Sequence, residues 1–140
     1  MKGNMADYFT NFSLILPLDE AQKEYALNLS RTARTHCSEE TPLPADFPEQ
    51  LKDWLEDWTF ETEDAEDGLW LHSSSGGIDA VCAFIQHLLK KYDPKGSVAF
   101  EWSHDCSKPR TDAYGGGAAV ITAKKIETMN TSDWISSKTA

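Results

Sequence analysis

Lys108 and Arg110 bring two cations to the segment Asp105 to Gly117, and Gly115, Gly116 and Gly117 close it. Cations beside a backbone without side chains form a candidate anion-binding loop, because a ligand can approach such a backbone closely. The glycines lack the strand-to-helix context of a phosphate loop or a dinucleotide fingerprint, and the residues after them read as a strand. A structural role fits the same residues: a bulge that starts the strand tightly, with Lys108 and Arg110 paired to nearby carboxylates. Cys106 stands two residues from His104. Side chains at i and i+2 of an extended segment share a face without forming a hydrogen-bonded dyad, and no third orienting group is evident, so a structural thiol is expected. His36, Cys37, His104 and Cys106 offer two imidazoles and two thiols in spacings that fit no standard zinc pattern, so no metal and no cofactor are expected.

Carboxylates are the second group with chemical potential. Between Glu39 and Asp67 lie twelve Asp and Glu residues against Lys52 alone, a formal charge of −11 in a chain whose total is −10. Such an acidic surface repels nucleic acid and membrane headgroups and attracts basic partners. Glu61 and Glu63 share a strand face and Asp64, Glu66 and Asp67 crowd a turn, but the spacing of a calcium loop is absent. Trp54 and Trp58 lie inside the same stretch, and acids around a partly exposed aromatic anchor are a common interface composition. The candidate partner-binding set is therefore Asp53, Trp54, Glu56, Asp57, Glu61, Glu63, Asp64, Glu66 and Asp67, with a solvated face serving solubility as the competing explanation.

At 140 residues the chain is most simply one α+β domain that buries roughly two thirds of its unfolded surface. Residues 1–7 and 137–140 are expected to be flexible tails, and Met5 is an alternative start. Cys37, Cys82 and Cys106 are odd in number, with no CxxC spacing and no signal-like apolar run before them, which fits a reduced, cytoplasmic protein. The apolar run Phe12 to Leu18 is too short to cross a bilayer and is broken by Pro17.

Hydrophobic period gives the order of elements. Phe12, Leu14 and Leu16 share a strand face, and Asp19 caps a helix running to about Thr35 that buries Leu18, Ala21, Tyr25, Leu29 and Ala33. Pro48 to Glu56 reads as a short helix with Leu51, Trp54 and Leu55 on one side. Trp58 to Thr62 and Leu69 to His72 alternate as strands around Asp67-Gly68, a hairpin signal. Ile78, Val81, Ile85, Leu88, Leu89 and Tyr92 recur at helical spacing until Asp93-Pro94. Strands follow at Ser97 to Ser103, with Val98, Phe100 and Trp102 inward, and at Ala118 to Ala123. Thr131 to Ser136 forms a short terminal helix holding Trp134 and Ile135. Without the short helix and the last strand the order is βαββαβ, a ferredoxin-like arrangement with two helices on one face of a mostly antiparallel sheet and an extra C-terminal strand.

The run Cys106-Ser107-Lys108-Pro109-Arg110, followed by Tyr114-Gly115-Gly116-Gly117-Ala118 and Thr122-Ala123, resembles a motif of small bacterial, phage and plasmid proteins that have no established activity. Gly68-Leu69-Trp70-Leu71 is a weaker upstream echo, and the resemblance covers about the C-terminal half. A setting among mobile genetic elements implies an interaction protein. The reading that follows is a non-enzymatic acidic protein that occludes a basic, nucleic-acid-binding surface of a host defence complex or nuclease and does not itself bind nucleic acid or membrane. The alternatives are a small-anion or catalytic site in the Cys106 to Gly117 loop, and an immunity protein against a basic toxin nuclease.

Overall fold

Alternating apolar residues, two helical stripes and the turn residues between them assemble into a mixed α+β structure. The computed structural model describes residues 7–139. Its elements are β1 Tyr8–Leu16, α1 Glu20–Glu39, a 3₁₀ helix Glu49–Asp57, β2 Glu61–Ala65, β3 Gly68–Ser73, α2 Ile78–Tyr92, β4 Ser97–Cys106, a single 3₁₀ turn Thr111–Ala113, β5 Gly115–Thr122, β6 Ile126–Asn130 and α3 Thr131–Thr139. The six strands form one sheet in the order β2-β3-β1-β4-β5-β6, with every neighbouring pair antiparallel.

Asp19 starts α1 as expected: its carboxylate accepts from the Gln22 backbone N–H at 2.9 Å, and the Gln22 side chain accepts from the Asp19 N–H at 3.1 Å. This reciprocal cap satisfies two backbone donors that the first helical turn leaves without partners. The buried stripe of α1 runs through Lys23, Ala26, Leu29, Ser30 and Ala33. It is rotated from the expected one, so Ala21 faces water. Phe12, Leu16, Leu69, Leu71, Phe100, Ala119 and Ile121 from the sheet join the apolar sides of α1 and α2 in one core.

Three boundaries differ from expectation. Trp58 and Phe60 precede β2 rather than forming it, and they pack against each other at a ring-centroid distance of 5.0 Å and against Phe84 at 5.5 and 5.7 Å. Their alternation therefore serves burial, while the Phe60 carbonyl accepts from Arg34 at 2.8 Å instead of a strand partner. β5 begins at Gly115 rather than Ala118, and its ladder with β4 runs from His104–Gly115 to Ser97–Thr122 without a bulge. A sixth strand, β6, follows the turn at Ala123-Lys124, where sequence alone suggests no element. At the ends, Asp7 is hydrogen-bonded to Ser107, and α3 continues to Thr139, past the expected helix end at Ser136. The remaining expected tail residues lie outside the described ones.

Glycine is required where chains pass closely. A Cβ on Gly68 would stand 1.9 Å from the Leu16 carbonyl oxygen, and its φ of +155° suits no other residue well. At Gly117 a Cβ would stand 2.3 Å from the Trp102 ring, which lies across the bare backbone.

The helices are joined by a polar seam. His87 Nδ1 accepts from Gln50 of the 3₁₀ helix at 3.4 Å, and its Nε2–H donates to the Tyr25 hydroxyl of α1 at 2.8 Å. Burial, with Lys91 and Lys90 nearby, holds the His87 pKa below its usual 6.5. The unfolded chain therefore binds this proton first, so the contribution of neutral His87 is complete above pH 6.5 and declines as pH falls below it. Urea unfolding at pH 7.5 and pH 5.0 is expected to show a larger loss for the wild type than for His87→Gln. Equal losses in both proteins would count against this seam as the source.

Candidate functional site

Because side chains alternate across a strand, the face of the sheet away from the helices is made of the residues between the core positions. On β1 these are Phe9, Asn11, Ser13 and Ile15; Trp70 and His72 follow on β3, and Glu61 and Glu63 on β2. β4 contributes Ala99, Glu101, Ser103 and Asp105, β5 Ala118 and Val120, and β6 Glu127 and Met129. Phe9, Ile15, Val120 and Met129 are exposed large hydrophobics on this face. Five carboxylates share it, and among the described residues its strand positions hold no Lys or Arg. No helix covers it.

Side chains on part of this face bond to one another. Trp70 and His72 stack with ring centroids 3.8 Å apart, Trp70 Nε1–H donates to Ser13 at 2.8 Å, and His72 Nε2 meets Glu63 at 2.5 Å. Asp105 accepts from Asn11 at 3.2 Å. At the edges of the face, Arg34 pairs with Glu61 at 2.7 Å and Lys125 with Glu127 at 3.0 Å. The arrangement sets exposed apolar side chains beside carboxylates, one of them paired with His72.

The acidic run from Glu39 to Asp67 does not form one surface. Asp53 and Glu56 are exposed on the 3₁₀ helix beside Trp54, which is 37% exposed, whereas Trp58 is core. Asp57 is structural: its carboxylate accepts from Ala80 N–H at 3.1 Å, capping α2 where Gly77 has no side chain to do so. Asp64 faces the helices and pairs at 2.7 Å with Lys23, whose side chain is only 5% exposed and also donates to the Ala65 carbonyl at 3.0 Å. The Asp64 hydrogen bond is the main reason the Lys23 pKa is raised. Glu66 and Asp67 stand exposed at the hairpin turn. Only Glu61 and Glu63 of the sequence-derived set lie on the open sheet face. Glu101, Asp105 and Glu127 were missed because they lie far from the run in sequence. The alternation of Ala99, Glu101, Ser103 and Asp105 is the signal that could have found them.

In the Cys106 to Gly117 segment, the three glycines belong to β5, and the Gly116 N–H donates to Thr131 at 3.1 Å. Arg110 is exposed and Lys108 half-buried. The Tyr114 hydroxyl donates to the Cys106 carbonyl at 2.8 Å, which folds the loop onto the end of β4. Cys106 is buried, and His104 Nδ1 is engaged with the Thr10 hydroxyl at 2.9 Å. Cys37 donates to the Leu55 carbonyl at 3.0 Å, and His36 bonds the Thr41 carbonyl. All three cysteines are free thiols, and burial pushes that of Cys82 up to about 12. Among the described residues no three His, Cys, Asp or Glu side chains group to hold a metal, and no helix is long and apolar enough to cross a membrane.

The fold and its uncovered face define an α+β protein with an acidic, partly apolar sheet surface. Comparisons with protein-family models, curated proteins and solved structures give no match.

Proposed function

We propose that this chain is a binding protein whose open sheet face docks on a basic protein surface carrying apolar side chains. The observation that carries this reading is the pairing of four exposed hydrophobics with five carboxylates and no strand-borne cation on one uncovered face. Nucleic acid is disfavoured because phosphates would meet carboxylates, and a second copy of the same face would set acid against acid. Carboxylates repeated along strands stand in for phosphates, so a nuclease or nucleic-acid-binding complex is the target class, as an inhibitor from a mobile element would require. We also read the first four strands and two helices as a ferredoxin-like unit extended by β5 and β6. The strand order β2-β3-β1-β4 supports it, although such a fold hosts many functions and selects none.

The test is a titration of isotope-labelled protein with a lysine- and arginine-rich amphipathic peptide at low salt, followed by NMR. Shift changes centred on Phe9, Ile15, Glu101 and Val120, reversed by added salt and not produced by duplex DNA, are expected. Changes confined to the 3₁₀ helix around Trp54 or to the Lys108–Arg110 loop would overturn the assignment.

A further inference from the structure

The sheet has two edges, and they are treated differently by the sequence. β2 is blocked: Glu61, Glu63 and Asp64 line it and Arg34 and Lys23 occupy the Phe60 and Ala65 carbonyls. Charged side chains and occupied carbonyls are how natural edges resist pairing. Among the described residues, β6 has one such guard, the pair Lys125–Glu127. The hydrogen bond from Thr122 N–H to the Lys125 carbonyl at 2.8 Å closes the β5–β6 turn and sets the phase of the ladder. Bonded pairs then fall at Val120–Glu127 and Ala118–Met129, leaving Ile126, Thr128 and Asn130 with backbone groups directed outward.

Directly after this edge comes α3, which buries none of its residues and leaves Trp134 60% and Ile135 53% exposed. Two large hydrophobics in solvent, beside a strand paired on one side only, are unexplained by the packing of one chain. Charge selects the occupant. From Ala118 to Thr139, Lys124, Lys125 and Lys138 offset Glu127 and Asp133, so this end is close to neutral in a chain of net −10.

We propose that β6 pairs antiparallel with β6 of a second copy, forming a two-fold dimer with a continuous sheet and with Trp134 and Ile135 packed at its margin. Centred on Thr128, the pairing sets Ile126 against Asn130 and Glu127 against Met129, so no carboxylate meets a carboxylate. The helices of both copies then lie on one side of the sheet, and the acidic face is doubled on the other. The inference is independent of what that face binds.

The experiment combines sedimentation of the full chain over a concentration series with amide hydrogen exchange. A dimer is expected that persists or tightens as salt rises, because salt screens the net charge of the two copies. The Ile126 and Thr128 amides should become protected only as concentration rises, while those of Glu127 and Met129 are protected throughout. Thr128→Pro removes an outward N–H that makes no bond to β5, and is expected to weaken dimerisation at least about tenfold. Trp134→Ser combined with Ile135→Ser, on a helix that contributes nothing to the core, should also weaken it. A monomer at every concentration, or a dimer in which Ile126 and Thr128 exchange freely, overturns the proposal.

Discussion

Lysine at Glu63, Glu101 and Glu127 together is expected to lower affinity for a basic partner about a hundredfold, from about 1 kcal/mol for each reversed contact. The three positions span β2, β4 and β6, so the variant samples the breadth of the open face. All are exposed, and none contributes an apolar group to the core. Losing the Glu63–His72 and Glu127–Lys125 pairs should change stability little, because exposed ion pairs contribute at most about 1 kcal/mol. Calorimetry at low salt, paired with a urea unfolding curve, separates the two effects. Reversal of Asp53, Glu56 and Glu66 is the matched control: equal loss there would show that net charge, not this face, governs binding.

Gly68→Ala is expected to destabilise the fold by about 3 kcal/mol, near the upper end for a single substitution. The added carbon would sit 1.9 Å from the Leu16 oxygen, 2.8 Å from the Leu16 carbonyl carbon and 3.1 Å from Pro17 Cα. All three are backbone atoms, so no rotamer change relieves the overlap. β1 and β3 must separate where Leu16 faces Leu69, opening the core at two of its buried leucines. The same φ of +155° adds strain for any residue with a Cβ. A shift in the urea midpoint with unchanged slope would register the loss. Stability equal to the wild type would mean that this close approach does not exist in solution.

Local chemistry accounts for what was legible from the chain. Asp19 with Gln22 capped α1, the stripe from Ile78 to Tyr92 became α2, and the turn before Gly68 became a hairpin, because each depends on neighbours within a few residues. β6 escaped notice because Ile126, Met129 and their neighbours are largely exposed, and a strand held by one neighbour needs little apolar alternation. Trp58 and Phe60 misled because core packing and strand pairing write the same period into a sequence.

The candidate site divides along the same line. Charge density is additive along a chain, so the acidic character of residues 39–67 was visible at once. Which carboxylates act together depends on strand register and facing. Tertiary structure assigned Asp57 to the start of α2 and Asp64 to Lys23, and it brought Glu101, Asp105 and Glu127 beside Glu61 and Glu63. The sequence by itself determined the net charge, which follows from composition, and the α+β class and the cap of α1, which follow from local spacing. The open acidic face and the sparsely guarded β6 edge were decided only when strands distant in sequence became neighbours in the sheet, since a face exists only once its register is set.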